Sequence, residues 1–190
     1  MEQKKAFKVV LFGDQYTGKT CIIKRFVENV FRRGYHETPI SLFQTKDVHG
    51  CTLDIWDTAG SEDWQSMNSS IYHGSHAVIF LCSYDKQQSL DNIKNIWLQR
   101  VRQFMSDISK VKFFLAVNKS DIPEDDKTID ESQIEQMKND LNVVDLFIVS
   151  AKDNINVTEL FEAVADTLIN EYPIINPTPI EPQEIKSSCC

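Results

Sequence analysis

Apolar positions follow two rhythms along this chain. Residues 7–12, 77–82, 113–117 and 146–149 are short, nearly continuous apolar runs, as expected of strands buried on both faces of a sheet. Residues 42–48 and 52–56 read as a hairpin closed near His49-Gly50. Between the runs, apolar positions return every three or four residues. A glycine-bearing loop follows the first strand and leads into a helix ending near Glu28. Leu90, Ile93, Trp97, Val101 and Phe104 form a core-facing helical stripe. The clearest helix is the last, where Val157, Leu160, Phe161, Val164, Ala165, Leu168 and Ile169 share one face. Strands alternating with helices predict an α/β domain, a mostly parallel sheet with helices on both faces. In such sheets ligands gather at the carboxyl ends of the strands.

The pattern stops at Pro173. Four of the six prolines fall in the last eighteen residues, among little that could pack, so residues 173–190 read as a disordered tail after one domain over 1–172. No apolar run is long enough to span a bilayer, and the amino terminus is too short in apolar residues for a signal-peptide core, which predicts a cytoplasmic protein. The net charge of -8 argues against general nucleic-acid binding, which needs a cationic footprint, yet leaves room for one bound nucleotide. Cys21, Cys51 and Cys82 lie in apolar segments without metal-like spacing and read as buried thiols. His36, His49, His73 and His76 read as surface or packing residues, and the acidic stretch 124–131 as a solvated loop and helix start.

Candidate chemistry sits at the predicted strand ends. Gly13-Asp14-Gln15-Tyr16-Thr17-Gly18-Lys19-Thr20 matches G-x-x-x-x-G-K-[ST] between a strand and a helix. Its glycines let backbone N–H groups and the helix N-terminus wrap phosphates. Lys19 supplies charge to the β- and γ-phosphates, and the Thr20 hydroxyl suits Mg2+. Asn118-Lys119-Ser120-Asp121 follows the next buried run. Guanine presents two adjacent donors on one edge, and the Asp121 carboxylate accepts both, whereas adenine has no such pair. Asn118 would brace that loop, the Lys119 stem would lie over the ring, and a backbone N–H in Ser150-Ala151-Lys152 could meet the guanine O6. Asp57-Thr58-Ala59-Gly60 follows another strand; Asp57 would hold Mg2+ through water, and Gly60 would let the backbone swing toward a γ-phosphate. Thr38, nineteen residues after Lys19, could close the Mg2+ shell. Together these are the parts of a γ-phosphate sensor for GTP and GDP.

On these motifs residues 6–172 resemble the Ras superfamily of small GTPases, and the resemblance implies the P-loop GTPase fold, a six-stranded sheet with one antiparallel edge strand. It extends to Phe31, where relatives place an aromatic ring against guanine, and to Cys21, beside the α-phosphate. Trp56-Asp57, the stretch 69–76 and the terminal Cys189-Cys190 resemble the Rab branch, which implies vesicle traffic and geranylgeranylated paired cysteines. Two lipid chains suffice for stable anchoring, and the tail has little basic charge to assist them. The same resemblance implies effectors that meet the switch regions, an exchange factor, a GDP-dissociation inhibitor and prenyltransferase machinery. It also implies a place on the cytosolic face of endomembranes. Phe43 and Trp56 match two members of the Rab aromatic effector patch, the third falling at Ile71.

Several positions depart from that pattern. Gly60 is followed by Ser61 where relatives carry a glutamine that orients the attacking water. Gln15 stands where relatives have a small residue near the γ-phosphate. Thr38-Pro39-Ile40-Ser41-Leu42-Phe43 keeps only the threonine and phenylalanine of the usual first switch, and the hairpin after it is about four residues short. Catalytic expectations therefore fall on Ser61, Gln15 and Lys19, with slow hydrolysis expected; Gln15 orienting the water itself is the competing reading. A GTP-bound interaction module without useful turnover is the alternative from another class, and an ATP-using P-loop enzyme is a third, which Asp121 and Asn118 oppose.

Overall fold

A computed structural model describes residues 4–32, 42–58, 71–105 and 107–172. The chain runs β1 (Ala6–Phe12), α1 (Lys19–Glu28), β2 (Leu42–Val48), β3 (Cys51–Asp57), β4 (Ala77–Ser83), α2 (Gln87–Asn92) and a π-helical turn (Ile93–Trp97). It continues through α3 (Leu98–Phe104), β5 (Lys112–Asn118), a 3-10 turn (Glu124–Asp126), α4 (Glu131–Leu141), β6 (Asp145–Ile148) and α5 (Val157–Glu171). The strands form one sheet in the order β2-β3-β1-β4-β5-β6. Among the strands of the described residues, only the β2–β3 pair is antiparallel.

Alternation along the central strands builds a core on each face. Phe7, Val9 and Leu11 of β1, with Ile79 and Leu81 of β4, pack beneath α1 and α5, where Phe26 stacks on Phe161 at 4.1 Å. Val10, Phe12, Val78, Phe80 and Leu115 face the opposite layer, built from α2, the π-turn, α3 and α4. His49 and Gly50 both adopt positive φ, 46° and 91°, which is what a two-residue hairpin turn demands. Asp130 caps α4 and completes a capping box with Gln133.

Two expectations need correction. Phe104 is 40% exposed rather than buried, because the π-turn inserts a residue into the helical phase and Leu98, Val101 and Met105 take the inward positions beyond it. Cys21 is only half-buried, while Cys51 and Cys82 are buried as expected.

The order of the sheet positions the site. The chain leaves β1 to build strands on one side of it and returns to pair β4 on the other, so the reversal lies beside the carboxyl end of β1. The carboxyl ends of β1, β3, β5 and β6 all lie at this edge.

Candidate nucleotide site

The loop from Gly13 to Gly18 bends tightly because two glycines admit close neighbours. A Cβ at Gly13 would come within 2.0 Å of the Leu81 carbonyl oxygen. At Gly18, where φ is +96°, it would come within 2.3 Å of Asn118 Nδ2. Tyr16 also has positive φ, 67°, a conformation that disfavours L-residues by roughly 1–2 kcal/mol. Lys19 begins α1 and curls back over the loop, its Nζ donating to the carbonyl oxygens of Gly13 at 2.7 Å and Asp14 at 2.8 Å. Burial lowers its pKa to about 8, against the opposing pull of Asp57 and Asp14. Gln15 sits half-buried and Tyr16 exposed at the tip of the same loop.

Beside Lys19, the Thr20 hydroxyl donates to Asp57 Oδ2 at 2.6 Å. Asp57 is buried, and its other oxygen, Oδ1, has no hydrogen-bond partner among the described residues. Burial raises the Asp57 pKa, and the Thr20 hydrogen bond works against that rise. A buried carboxylate oxygen without a donor is costly, and a hard cation with its waters is the kind of group that satisfies it. The donor set of one hydroxyl and one carboxylate therefore fits Mg2+, which takes few protein ligands when phosphates supply the rest. The next residue, Thr58, donates its hydroxyl to the Leu11 carbonyl oxygen at 2.7 Å, fastening the end of β3 to β1.

Asn118, at the end of β5, joins three loops. Its Nδ2 donates to the Thr17 carbonyl oxygen at 2.8 Å, and its Oδ1 accepts from the Ala151 backbone N–H at 3.1 Å. Asp121 Oδ1 accepts from the Ser150 hydroxyl at 2.6 Å, and Oδ2 from Lys152 Nζ at 2.9 Å. Burial alone would raise the Asp121 pKa, yet those two hydrogen bonds outweigh it and hold the carboxyl below its usual value, so it stands ionised as an acceptor. Lys119, with φ 65°, pairs with Asp85 at 2.7 Å. Arg25 of α1 donates to the carbonyl oxygens of Ala151 and Lys152, holding that loop from below.

The structure thus gathers Gly13, Gln15, Tyr16, Thr17, Gly18, Lys19, Thr20, Asp57, Asn118, Lys119, Asp121, Ser150, Ala151 and Lys152 at one edge. Cys21 follows on α1, and Phe31 packs half-buried against the α1–α5 core. Thr38, Gly60, Ser61, Cys189 and Cys190 lie outside the described residues. One constellation here carries no motif along the chain. Asp14 is 7% exposed, and its carboxylate receives Trp97 Nε1 and Asn92 Nδ2, each at 2.9 Å.

A six-stranded, mostly parallel sheet carrying a phosphate loop at its reversal point is the fold of a P-loop small GTPase. The Ras family model matches residues 8–170, and the chain belongs to that family. Its relatives place it among Rab-like proteins. The GTP-binding protein ypt1 of Schizosaccharomyces pombe is 35% identical over 159 residues, spanning 82% of this chain and 76% of that protein. The Ypt/Rab-type GTPase YPT7 of Saccharomyces cerevisiae is 30% identical over 176 residues, spanning 89% and 84%. The Ras-related protein Rab-1 of Theileria annulata is 31% identical over 180 residues, spanning 90% and 80%.

Proposed function

We propose that this chain is a Rab-like guanine-nucleotide switch that binds GTP and GDP with Mg2+, hydrolyses GTP slowly and acts in vesicle traffic. The observation that carries this reading is the position of Asn118. It ties the phosphate loop through Thr17 to the Ala151 backbone while Asp121, three residues on, keeps an ionised carboxylate in the same corner. A loop for phosphates and an acceptor for a two-donor base edge are thereby held at fixed separation.

In this reading the backbone from Gly13 to Gly18 and the Lys19 ammonium hold the phosphates, and Asp121 takes the guanine edge. A backbone N–H of the Ser150-Ala151-Lys152 segment takes the guanine O6, and the Lys119 stem covers the ring. Thr20, Asp57 through water, and Thr38 would hold Mg2+, which when bound neutralises charge between the β- and γ-phosphates. Hydrolysis adds water to the γ-phosphorus and releases GDP from its β-phosphate oxygen. Lys19 stabilises charge on the departing group, and water is oriented only weakly, because Ser61 is too short for the role a glutamine fills. Gln15 narrows the approach to the γ-phosphate and obstructs an activating protein's arginine.

Residues 1–172 form the nucleotide domain, and residues 173–190 the tail whose Cys189 and Cys190 receive prenyl groups. The cytosolic face of an endomembrane is the proposed location. Among the described residues no helix is long and apolar enough to cross a membrane. Exposed Phe43, packed on Trp56 at 5.2 Å, supports an effector surface beside the first switch. An exchange factor, a GDP-dissociation inhibitor and prenyltransferase machinery complete the cycle.

Single-turnover hydrolysis of GTP-loaded protein tests this reading. Bound GTP is expected to outlast that in a Ser61→Gln variant; equal rates in the two would remove Ser61 as the cause of slowness. GTP that never converts to GDP in either protein would favour the interaction module without turnover.

A further inference from the structure

The Asp14 carboxylate is buried, charged and unused by the chemistry described above. Its side chain points away from the phosphate loop into the opposite layer. There it accepts from Asn92 and Trp97, and Lys86 Nζ lies 3.3 Å from Oδ2. Asn92 and Trp97 are five positions apart, and on a regular α-helix such residues point roughly 140° away from each other. They reach one carboxylate because the helix changes form between them. The Leu98 N–H bonds back five residues to the Ile93 carbonyl oxygen, and this wider turn swings Trp97 toward the face that Asn92 occupies. The indole is then clamped by stacking on Phe12 at 6.1 Å, within the strand that feeds the loop. On its backbone side, Asp14 accepts from both Lys19 Nζ and the Thr17 hydroxyl. One residue therefore links the π-turn to the lysine of the phosphate loop.

We infer that Asp14 is a positioning residue: anchored by Trp97 and Asn92 of the π-turned helix, it fixes the phosphate loop and Lys19 in the shape that receives the β-phosphate of a nucleoside diphosphate. The inference rests on the nucleotide reading above and adds to it the origin of the loop's rigidity. The loop's internal hydrogen bonds work against a strained Tyr16 backbone, and Gly18 has no side chain with which to cap α1. Breaking the anchor releases the phosphate loop but leaves Asn118, Asp121 and Ala151 in place at the base end. The loss therefore falls on ligands that carry a β-phosphate.

The test compares equilibrium binding of GDP and GMP to the full chain. Trp97→Phe keeps an aromatic ring against Phe12 while removing the indole N–H together with the five-membered ring that carries it; the double-mutant comparison below separates the hydrogen bond from the lost volume. This substitution is expected to weaken GDP about tenfold, on the scale of a hydrogen bond to a buried charge, while leaving GMP affinity unchanged. In an Asp14→Ala background the same substitution should have no further effect on GDP, because its acceptor is already gone. Equal losses for GDP and GMP, or a full additional loss in the Asp14→Ala background, would show general packing and overturn the inference. Should Asp14→Ala fail to fold, Asn92→Ala supplies a second reading of the GDP-to-GMP ratio, expected to move in the same direction as Trp97→Phe; an unchanged ratio overturns the inference. Wild-type protein that binds no GDP would instead refute the nucleotide reading itself.

Discussion

Asn118 and Thr17 stand 101 residues apart in the chain and meet at 2.8 Å, the Asn118 amide donating to the Thr17 carbonyl oxygen. The contact depends on Gly18, since any Cβ there would collide with the same amide nitrogen. Gly18→Ala is expected to break the bridge and strain a backbone already at φ +96°. GDP affinity should fall by about tenfold or more, the equivalent of one buried hydrogen bond, measured by calorimetric titration. Unchanged affinity would mean that the bridge does not shape the site.

Asp121 sets the choice of base. Its oxygens already accept from Ser150 and Lys152, and an ionised carboxylate keeps lone pairs for two further donors. An Asp121→Asn amide offers one donor and one acceptor. That pattern suits xanthine, which carries a carbonyl in place of the guanine 2-amino group. The variant is expected to lose GDP affinity and gain affinity for xanthosine diphosphate, read by displacement of a fluorescent nucleotide. Retention of the wild-type preference would remove Asp121 from the base site.

Gln15 occupies the rim of the phosphate loop, half-buried beside exposed Tyr16. Replacing it with glycine should speed single-turnover GTP hydrolysis, most clearly with an activating protein present. A tenfold gain corresponds to about 1.4 kcal/mol in the barrier. Slower hydrolysis in Gln15→Gly would assign Gln15 to orienting the water, compensating for Ser61.

At the hairpin turn, His49 Nδ1 lies 2.7 Å from Asp166 Oδ1, and its Nε2 lies 3.5 Å from Glu162 Oε1, both acids on α5. The Asp166 hydrogen bond raises the His49 pKa above its usual value. A raised histidine pKa means that the folded state binds the proton more tightly. The stabilisation is complete below the unfolded-state pKa and disappears as pH climbs through the folded one. Thermal midpoints followed upward from pH 6 should fall more in wild type than in His49→Gln. Parallel profiles would show that the contact does not hold the hairpin to α5.

Much of this was readable from the chain because both signals are local. Buried strands declare themselves as continuous apolar runs, and β1, β4 and β5 fall within one residue of their predicted ends. The phosphate loop and the Asn118–Asp121 segment are short motifs whose residues act near one another. Asp14, Asn92 and Trp97 escaped because their contact spans 78 and 83 residues. The π-turn that brings them together has no composition of its own. That same turn moved Phe104 out of the core, an error that helical periodicity could not avoid. Tyr16 gave no sign either, since nothing in its neighbours reveals a left-handed backbone.

The central claim is that this edge of the sheet binds a guanine nucleotide. The most direct measurement is displacement of fluorescent GDP from the purified full-length protein, in Mg2+, by unlabelled GDP, GTP and ADP. GDP and GTP should each displace the probe when added in small excess, and ADP should fail even in large excess. Displacement by ADP as readily as by GDP, or no binding of the probe at all, would contradict it.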